Sequence, residues 1–229
     1  MQRPRHIAID GPAGSGKSTV GEQLAQRLDY LYIDTGAMYR AVAWLALQRG
    51  IDSSDGSALA SLAQQTGIII AHPNIDDGRQ YTVTVQGQDV TWDIRNADVT
   101  RVVSIVSAHP EVRAILIAQQ REMAQQHDGT VMVGRDIGAV VLPDADLKIY
   151  LTASLQERAR RRYSELVERL DEHNPEHPRF EEVLADIQRR DEIDHDNMRP
   201  AEDAIVIVTD NLSVLQVLEV ICSYLEEPV

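Results

Sequence analysis

The stretch Ile7–Thr19, IAIDGPAGSGKST, constrains this chain more than any other. Ile7, Ala8 and Ile9 read as a short buried strand, and Gly11, Pro12, Ala13, Gly14, Ser15, Gly16, Lys17 and Ser18 match the GxxxxGK[ST] pattern. Backbone N–H groups can close around phosphate oxygens only where no Cβ intervenes, and parts of such a loop need a positive φ that glycine takes without strain. The loop opens a helix from about Gly16 to Leu28 whose N-terminal partial charge faces the same anion, with Thr19 in its first turn. Val20, Leu24, Ala25 and Leu28 are spaced for its buried face. Lys17 is expected to reach the β- and γ-phosphates, and the Ser18 hydroxyl to help hold Mg²⁺. A second strand, Tyr30–Ile33, follows at once, so the unit is a right-handed βαβ crossover and the sheet centre is parallel.

In an open parallel sheet, ligands gather beyond the carboxyl ends of the strands. That rule brings Asp34-Thr35-Gly36-Ala37-Met38-Tyr39-Arg40 beside the loop, with Arg40 placed for a second phosphate. Thr35 can equally cap the helix running through Tyr39 and Leu45, and capping is compatible with binding. A later strand, Thr130–Val133, again ends in charge, at Gly134-Arg135-Asp136-Ile137-Gly138.

Between them the rhythm changes. After a helix over Ser53–Gln65, the runs Ile68–Ala71, Tyr81–Val85 and Val90–Ile94 read as small strands, with turns at Asp77-Gly78 and Gln86-Gly87-Gln88. Two helices follow, over about Asp98–Ser107 and from Pro110, the proline suiting a first turn. Residues 66–126 are therefore expected to be an insertion. Leu147–Leu151 is a further strand, and Ser154-Leu155-Gln156-Glu157 fits a capping box. The helix it opens carries Arg158, Arg161 and Arg162 on one face. Asn174-Pro175-Glu176-His177-Pro178 breaks that run, and a helix over Phe180–Glu192 completes a hairpin able to close over a nucleotide. A strand, Ile205–Val208, and a helix, Ser213–Glu226, end the chain, with Cys222 on the inward face.

A formal net charge of −14 over 229 residues opposes binding to a nucleic-acid polymer or an anionic membrane, yet leaves small phosphorylated ligands open to local arginines. In so acidic a chain, a one-faced arginine cluster points to a phosphate clamp. One cysteine makes no internal disulfide, and MQRPRHIAIDG lacks the apolar core of a signal peptide. The expectation is a cytoplasmic monomer with no membrane or nucleic-acid partner. The histidines show no metal-ligand spacing.

Taken together, IDTGAMYRA, DVTWDIR, VSIVSAHPEVR, VGRDIG, KIYLTAS with ERARRR, and RRDEID resemble, in order and spacing, the bacterial cytidylate kinases of the nucleoside monophosphate kinase superfamily, over Ile7 to about Leu225. The resemblance implies an α/β P-loop kinase fold: a five-stranded parallel sheet flanked by helices, a CMP-binding α+β insertion and a short helical lid. On that reading residues 1–65, 127–153 and 193–229 form the core, 66–126 the insertion and 154–192 the lid. The implied reaction is reversible transfer of the γ-phosphoryl group of MgATP to CMP or dCMP.

By the same resemblance, Ser104, Arg113 and Asp136 meet cytosine, Arg40 and Arg135 the acceptor phosphate, and Arg190 and Asp194 the sugar hydroxyls, with Thr35 and Tyr39 beside them. Arg158, Arg161 and Arg162 fall on the lid, where the last two join Lys17 in neutralising charge. Asp136 is also expected to orient the acceptor or a metal-bound water. The family commonly has an arginine where this chain has Asn197. Either Arg199 takes that role or Arg40 and Arg135 suffice. Two rivals stand: a kinase of another small acceptor such as UMP, AMP or shikimate, and a nucleotide-driven switch. The second lacks the NKxD and LSGGQ signatures such proteins carry.

Overall fold

In the computed structural model, which describes residues 4–168, 178–195 and 198–226, five strands form the central sheet. They are β1 (His6–Asp10), β2 (Leu31–Asp34), β6 (Thr130–Gly134), β7 (Leu147–Thr152) and β8 (Ile205–Val208), ordered β2-β6-β1-β7-β8. Every neighbouring pair is parallel. Ile7, Ile9, Ile33, Val131, Met132 and Leu151 are fully buried in it, and these runs are continuous rather than alternating, as a sheet covered on both faces requires. At the β8 edge the alternation returns, with Ile207 buried while Val206 and Val208 are exposed. β1 lies between β6 and β7, so Asp10 and the loop after it open at the carboxyl end of the sheet's centre.

Helix α1 (Lys17–Leu28) packs on β6 through Val20, Gly21, Leu24 and Ala25. Gly21 sets how closely it approaches. A Cβ there would lie 2.5 Å from Val133 Cγ1 and 3.2 Å from Tyr32 Cε2. Alanine gains about 1 kcal/mol over glycine in a helix, but overpacking a close-packed layer costs about 1–3 kcal/mol. Gly21→Ala is therefore expected to destabilise the fold by about 1 kcal/mol on urea denaturation, and unchanged stability would show that Val133 yields.

Helix α2 (Thr35–Gln48) is capped by Asp34, whose carboxylate accepts from Gly36 N at 3.0 Å. Thr35 is not the cap but the first helical residue, and its buried hydroxyl donates to the Val133 carbonyl at 2.9 Å, tying β2 to β6. Helix α3 (Gly56–Gln65) leads to an antiparallel sheet of β3 (Ile68–Ala71), β4 (Thr82–Val85) and β5 (Gln88–Asp89). Residues 90–94 do not form the expected strand. The Asp89 carboxylate accepts from both Thr91 N and Thr91 Oγ1, which bends the chain into a 3₁₀ turn over Asp93–Arg95.

Helix α4 (Ala97–Ala108) is capped by the Asn96 side chain, which accepts from Val99 N at 2.8 Å. Helix α5 (Pro110–Gln125) starts on its proline and bends 94° away from α4. α4 packs on α2, and α5 on α3. Helices α6 (Leu155–Glu168) and α7 (Phe180–Asp194) share a small core of Ala159, Val183 and Ile187. Only half of the expected capping box opens α6. Glu157 N bonds Ser154 Oγ, but Ser154 N bonds the Asp210 carboxylate, because Arg160 and Arg161 hold the Glu157 side chain. Helix α8 (Val214–Glu226) buries Leu218 and Ile221, and Cys222 packs partly buried against the core. Among the described residues no single helix is long and apolar enough to cross a membrane.

Candidate active site

The loop after β1 has the backbone its glycines allow. Gly11, Gly14 and Gly16 take φ of 147°, 76° and 90°. Gly11 could hold no side chain, because a Cβ there would lie 2.0 Å from the Leu151 carbonyl oxygen. Gly16 precedes α1 without a side-chain cap, so the first-turn N–H groups face outward as an anion site. Lys17 folds back over the loop, its Nζ donating to the Pro12 carbonyl at 2.8 Å, and Arg135 Nη1 donates to the Gly11 carbonyl at the same distance.

Beneath the loop Asp10 accepts from Ile137 N and Gly138 N at 2.7 and 2.8 Å, fixing the turn after β6. Burial pushes its carboxyl up to about 6, against those two backbone bonds. The role of Asp10 was not assigned from sequence, although its place at the end of a central parallel strand was signal enough.

One cavity of about 640 Å³ runs from the loop across the sheet ends to α4 and α5. Ala13, Gly14, Gly16, Lys17, Ser18 and Thr19 line one end, while Thr35, Tyr39, Arg40, Ser104, Arg113, Arg135, Asp136, Arg162, Arg190 and Asp194 line the rest. Thirteen of the side chains named from sequence thus meet in one space, Lys17, Ser18 and Thr19 together with the ten on the far side.

Its electrostatics are those of an anion site. Burial pushes the Lys17 ammonium well down, and Arg135 adds to that, against Asp34, Asp10 and Asp194. Burial and then Arg190 lower Arg40 to about 10. Burial also lowers Arg190, with Arg162 and Arg135 acting in the same sense and Asp186 opposing. These cations repel one another, and a polyanion between them relieves both that repulsion and the cost of burial. Arg135 is held by Asp194 at 3.0 Å, and Arg40 donates to Thr100 Oγ1 and the Ile94 carbonyl.

Two lid arginines are placed differently from a direct clamp. Arg158 is buried behind the loop, bonded to the Ala13 and Ala153 carbonyls and paired with Asp191 at 2.6 Å. Arg161 donates to Glu157, Thr209 Oγ1 and the Thr209 carbonyl. It lines a second hollow of about 400 Å³ on the loop's other side, with Ser15, Thr209, Asp210 and Val214. Only Arg162 faces the main cavity, where it also pairs with Glu165. Asn197 lies outside the described residues, and Arg199 is exposed.

At the far end Arg113 and Asp136 form a close ion pair. Burial raises the Asp136 carboxyl, and Arg113 opposes it. Ser104 is buried alongside. Sequence reasoning gave no role to several further residues lining this space, Asp34, Arg95, Glu22 and Gln120 among them. Asp34 accepts from Tyr81 Oη at 3.1 Å, Arg95 donates to the same hydroxyl at 2.6 Å, Glu22 accepts from Gln80 at 2.5 Å, and Gln120 sits buried on α5.

A family model described as cytidylate kinase matches residues 7–227. The chain belongs to the cytidylate kinase family. A cytidylate kinase of Chloroflexus aggregans is 51% identical over 93% of this chain and 90% of its own length. One from Roseiflexus castenholzii is 48% identical over 96% and 93%. A gluconokinase structure from Sinorhizobium meliloti, 15% identical with a TM-score of 0.50 over 98% of this chain and 93% of its own, shares the fold. The segments that carried the cytidylate kinase resemblance flank the cavity: IDTGAMYRA joins β2 to α2, VGRDIG ends β6, and VSIVSAHPEVR spans the α4–α5 bend.

Proposed function

We propose that the chain transfers the γ-phosphoryl group of MgATP to CMP or dCMP, reversibly, giving ADP and CDP or dCDP. Family membership supports the reaction class, and one observation carries the assignment of the site. In a chain of net charge −14, Lys17, Arg40, Arg135 and Arg190 converge on one cavity despite mutual repulsion. A triphosphate donor and a monophosphate acceptor meeting end to end are what such a cavity neutralises.

The loop from Gly11 to Thr19 would bind the donor phosphates, Arg40 and Arg135 the acceptor phosphate, Ser104, Arg113 and Asp136 the base, and Arg190 and Asp194 the sugar. The acceptor is already an oxyanion, so no strong general base is needed, and catalysis is alignment plus charge neutralisation by Lys17 and Arg162, while Arg161, held by Thr209 on the loop's other side, falls outside that role. Arg158, held by Ala13 and Asp191, acts by bracing the loop.

The residues suit Mg²⁺ held chiefly by nucleotide phosphates. Among the described residues no cluster of three or more His, Cys, Asp or Glu could cage a metal, while the Ser18 hydroxyl stands on the loop's open side. Bound there, the ion would neutralise phosphate charge. The reading extends to a cytoplasmic monomer, which size-exclusion chromatography with light scattering would check. We keep the division into core 1–65, 127–153 and 193–229, insertion 66–126, and lid 154–192.

A panel of CMP, dCMP, UMP, AMP and shikimate with coupled ADP detection tests the proposal. CMP or dCMP is expected to exceed the others in kcat/KM by roughly 10²-fold or more, since a buried site built for one hydrogen-bond pattern leaves groups unpaired with another. Equal rates on UMP and CMP, or ATP turnover that needs no monophosphate, would overturn it.

A further inference from the structure

We infer that Gln120 reads the base of the acceptor nucleotide, its side-chain amide pairing with the cytosine edge beside Arg113 and Asp136. The inference rests on the acceptor proposed above and adds a residue to it. Gln120 lies on α5 seven residues after Arg113, on the same helical face, with fully buried Leu116 between them. It is only 1% exposed, and it lines the cavity alongside Tyr39, Ser104, Arg113 and Asp136. Neither Oε1 nor Nε2 has a hydrogen-bond partner among the described residues. The Tyr39 hydroxyl is close enough for the amide to oppose the upward shift that burial gives it, yet the two do not meet in hydrogen-bond geometry.

A buried primary amide with both ends unpaired is costly, and here the open side is the cavity. The two charged groups at this end, Arg113 and Asp136, are already engaged with each other. Asp136 is bound by Arg113, so the carboxylate's capacity to accept from a base is partly spent. The Gln120 amide supplies what remains, a neutral acceptor for the cytosine N4 amino group and a neutral donor for N3. By rotating 180° the same amide could meet the reversed pattern of uracil. Gln120 therefore contributes affinity for the pyrimidine edge, and choosing cytosine over uracil falls to the ion pair, whose charges cannot exchange places.

The experiment uses the full chain carrying Gln120→Met or Gln120→Leu, with KM for CMP and for ATP, kcat and Tm measured for each. Loss of two hydrogen bonds to a buried edge is expected to raise the KM for CMP by roughly 10- to 100-fold, with the KM for ATP unchanged and Tm equal to or above wild type. A second acceptor, the pyrimidin-2-one nucleotide lacking the 4-amino group, should lose clearly less than CMP does. An unchanged KM for CMP, a loss equal on both acceptors, or a drop in Tm with all kinetic constants moving together would each overturn the inference. Wild-type protein inactive on CMP would instead overturn the proposed acceptor, so the two failures are distinguishable.

Discussion

Lys17→Met is expected to lower turnover at least ~10²-fold, by comparison with the loss of a preorganised charge-stabilising donor, while leaving Tm at or above that of the wild type. The two halves of this outcome have one cause. Lys17 is buried, and its ammonium donates to the Pro12 carbonyl. Burial and Arg135 both act against its charge. Without nucleotide the charge is therefore a liability to the fold, and methionine fills a similar volume with none. With a triphosphate in the loop, the same charge stands against the phosphates in a site screened from water, where it is worth most. Coupled ADP detection and thermal denaturation check the pair of results. Undiminished turnover would remove Lys17 from the chemical step. A sharply lower Tm would mean that the Pro12 bond holds the loop together, and the activity loss could then not be read as chemistry.

How far this site could be read from sequence depended on what kind of signal each residue leaves. Short apolar runs, one of them interrupted by Lys148, announced all five strands of the central sheet, and glycine spacing announced a loop whose φ values follow from it. Strand ends located Arg40, Arg135 and Asp136, because a parallel sheet collects its ligands there. Side chains that bond back to their own backbone were harder to read. Val90–Ile94 has strand composition, but the Asp89 carboxylate turns the chain after β5. Asp34 rather than Thr35 caps α2, since Thr35 spends its hydroxyl on Val133. Helical spacing put Arg158, Arg161 and Arg162 on one face without revealing what stood opposite, and Ala13, Asp191 and Thr209 take the first two. Gln120 left no mark at all: a polar residue on an apolar helix face is legible only when the cavity beside it is known.

Asp136→Ala is expected to cost about 3 kcal/mol of stability, at the low end for breaking a buried ion pair, and to raise the KM for CMP on the order of 10²-fold. The low end applies because the Arg113 side chain keeps 16% of its surface exposed and can recover some hydration. What is lost in the single variant is less the attraction of the pair than the compensation for a guanidinium left under cover. That distinction can be tested with Arg113→Met added to Asp136→Ala. Removing both charges should restore about 1 kcal/mol or more relative to Asp136→Ala alone, while CMP turnover stays as poor as in the single variant, since neither charge then remains to fix the base. Urea denaturation gives the first quantity and the coupled assay the second. Additive stability losses would mean that the two side chains are energetically independent. Recovery of CMP turnover in the double variant would mean that the pair holds the wall of the cavity and leaves the reading of the base to other groups.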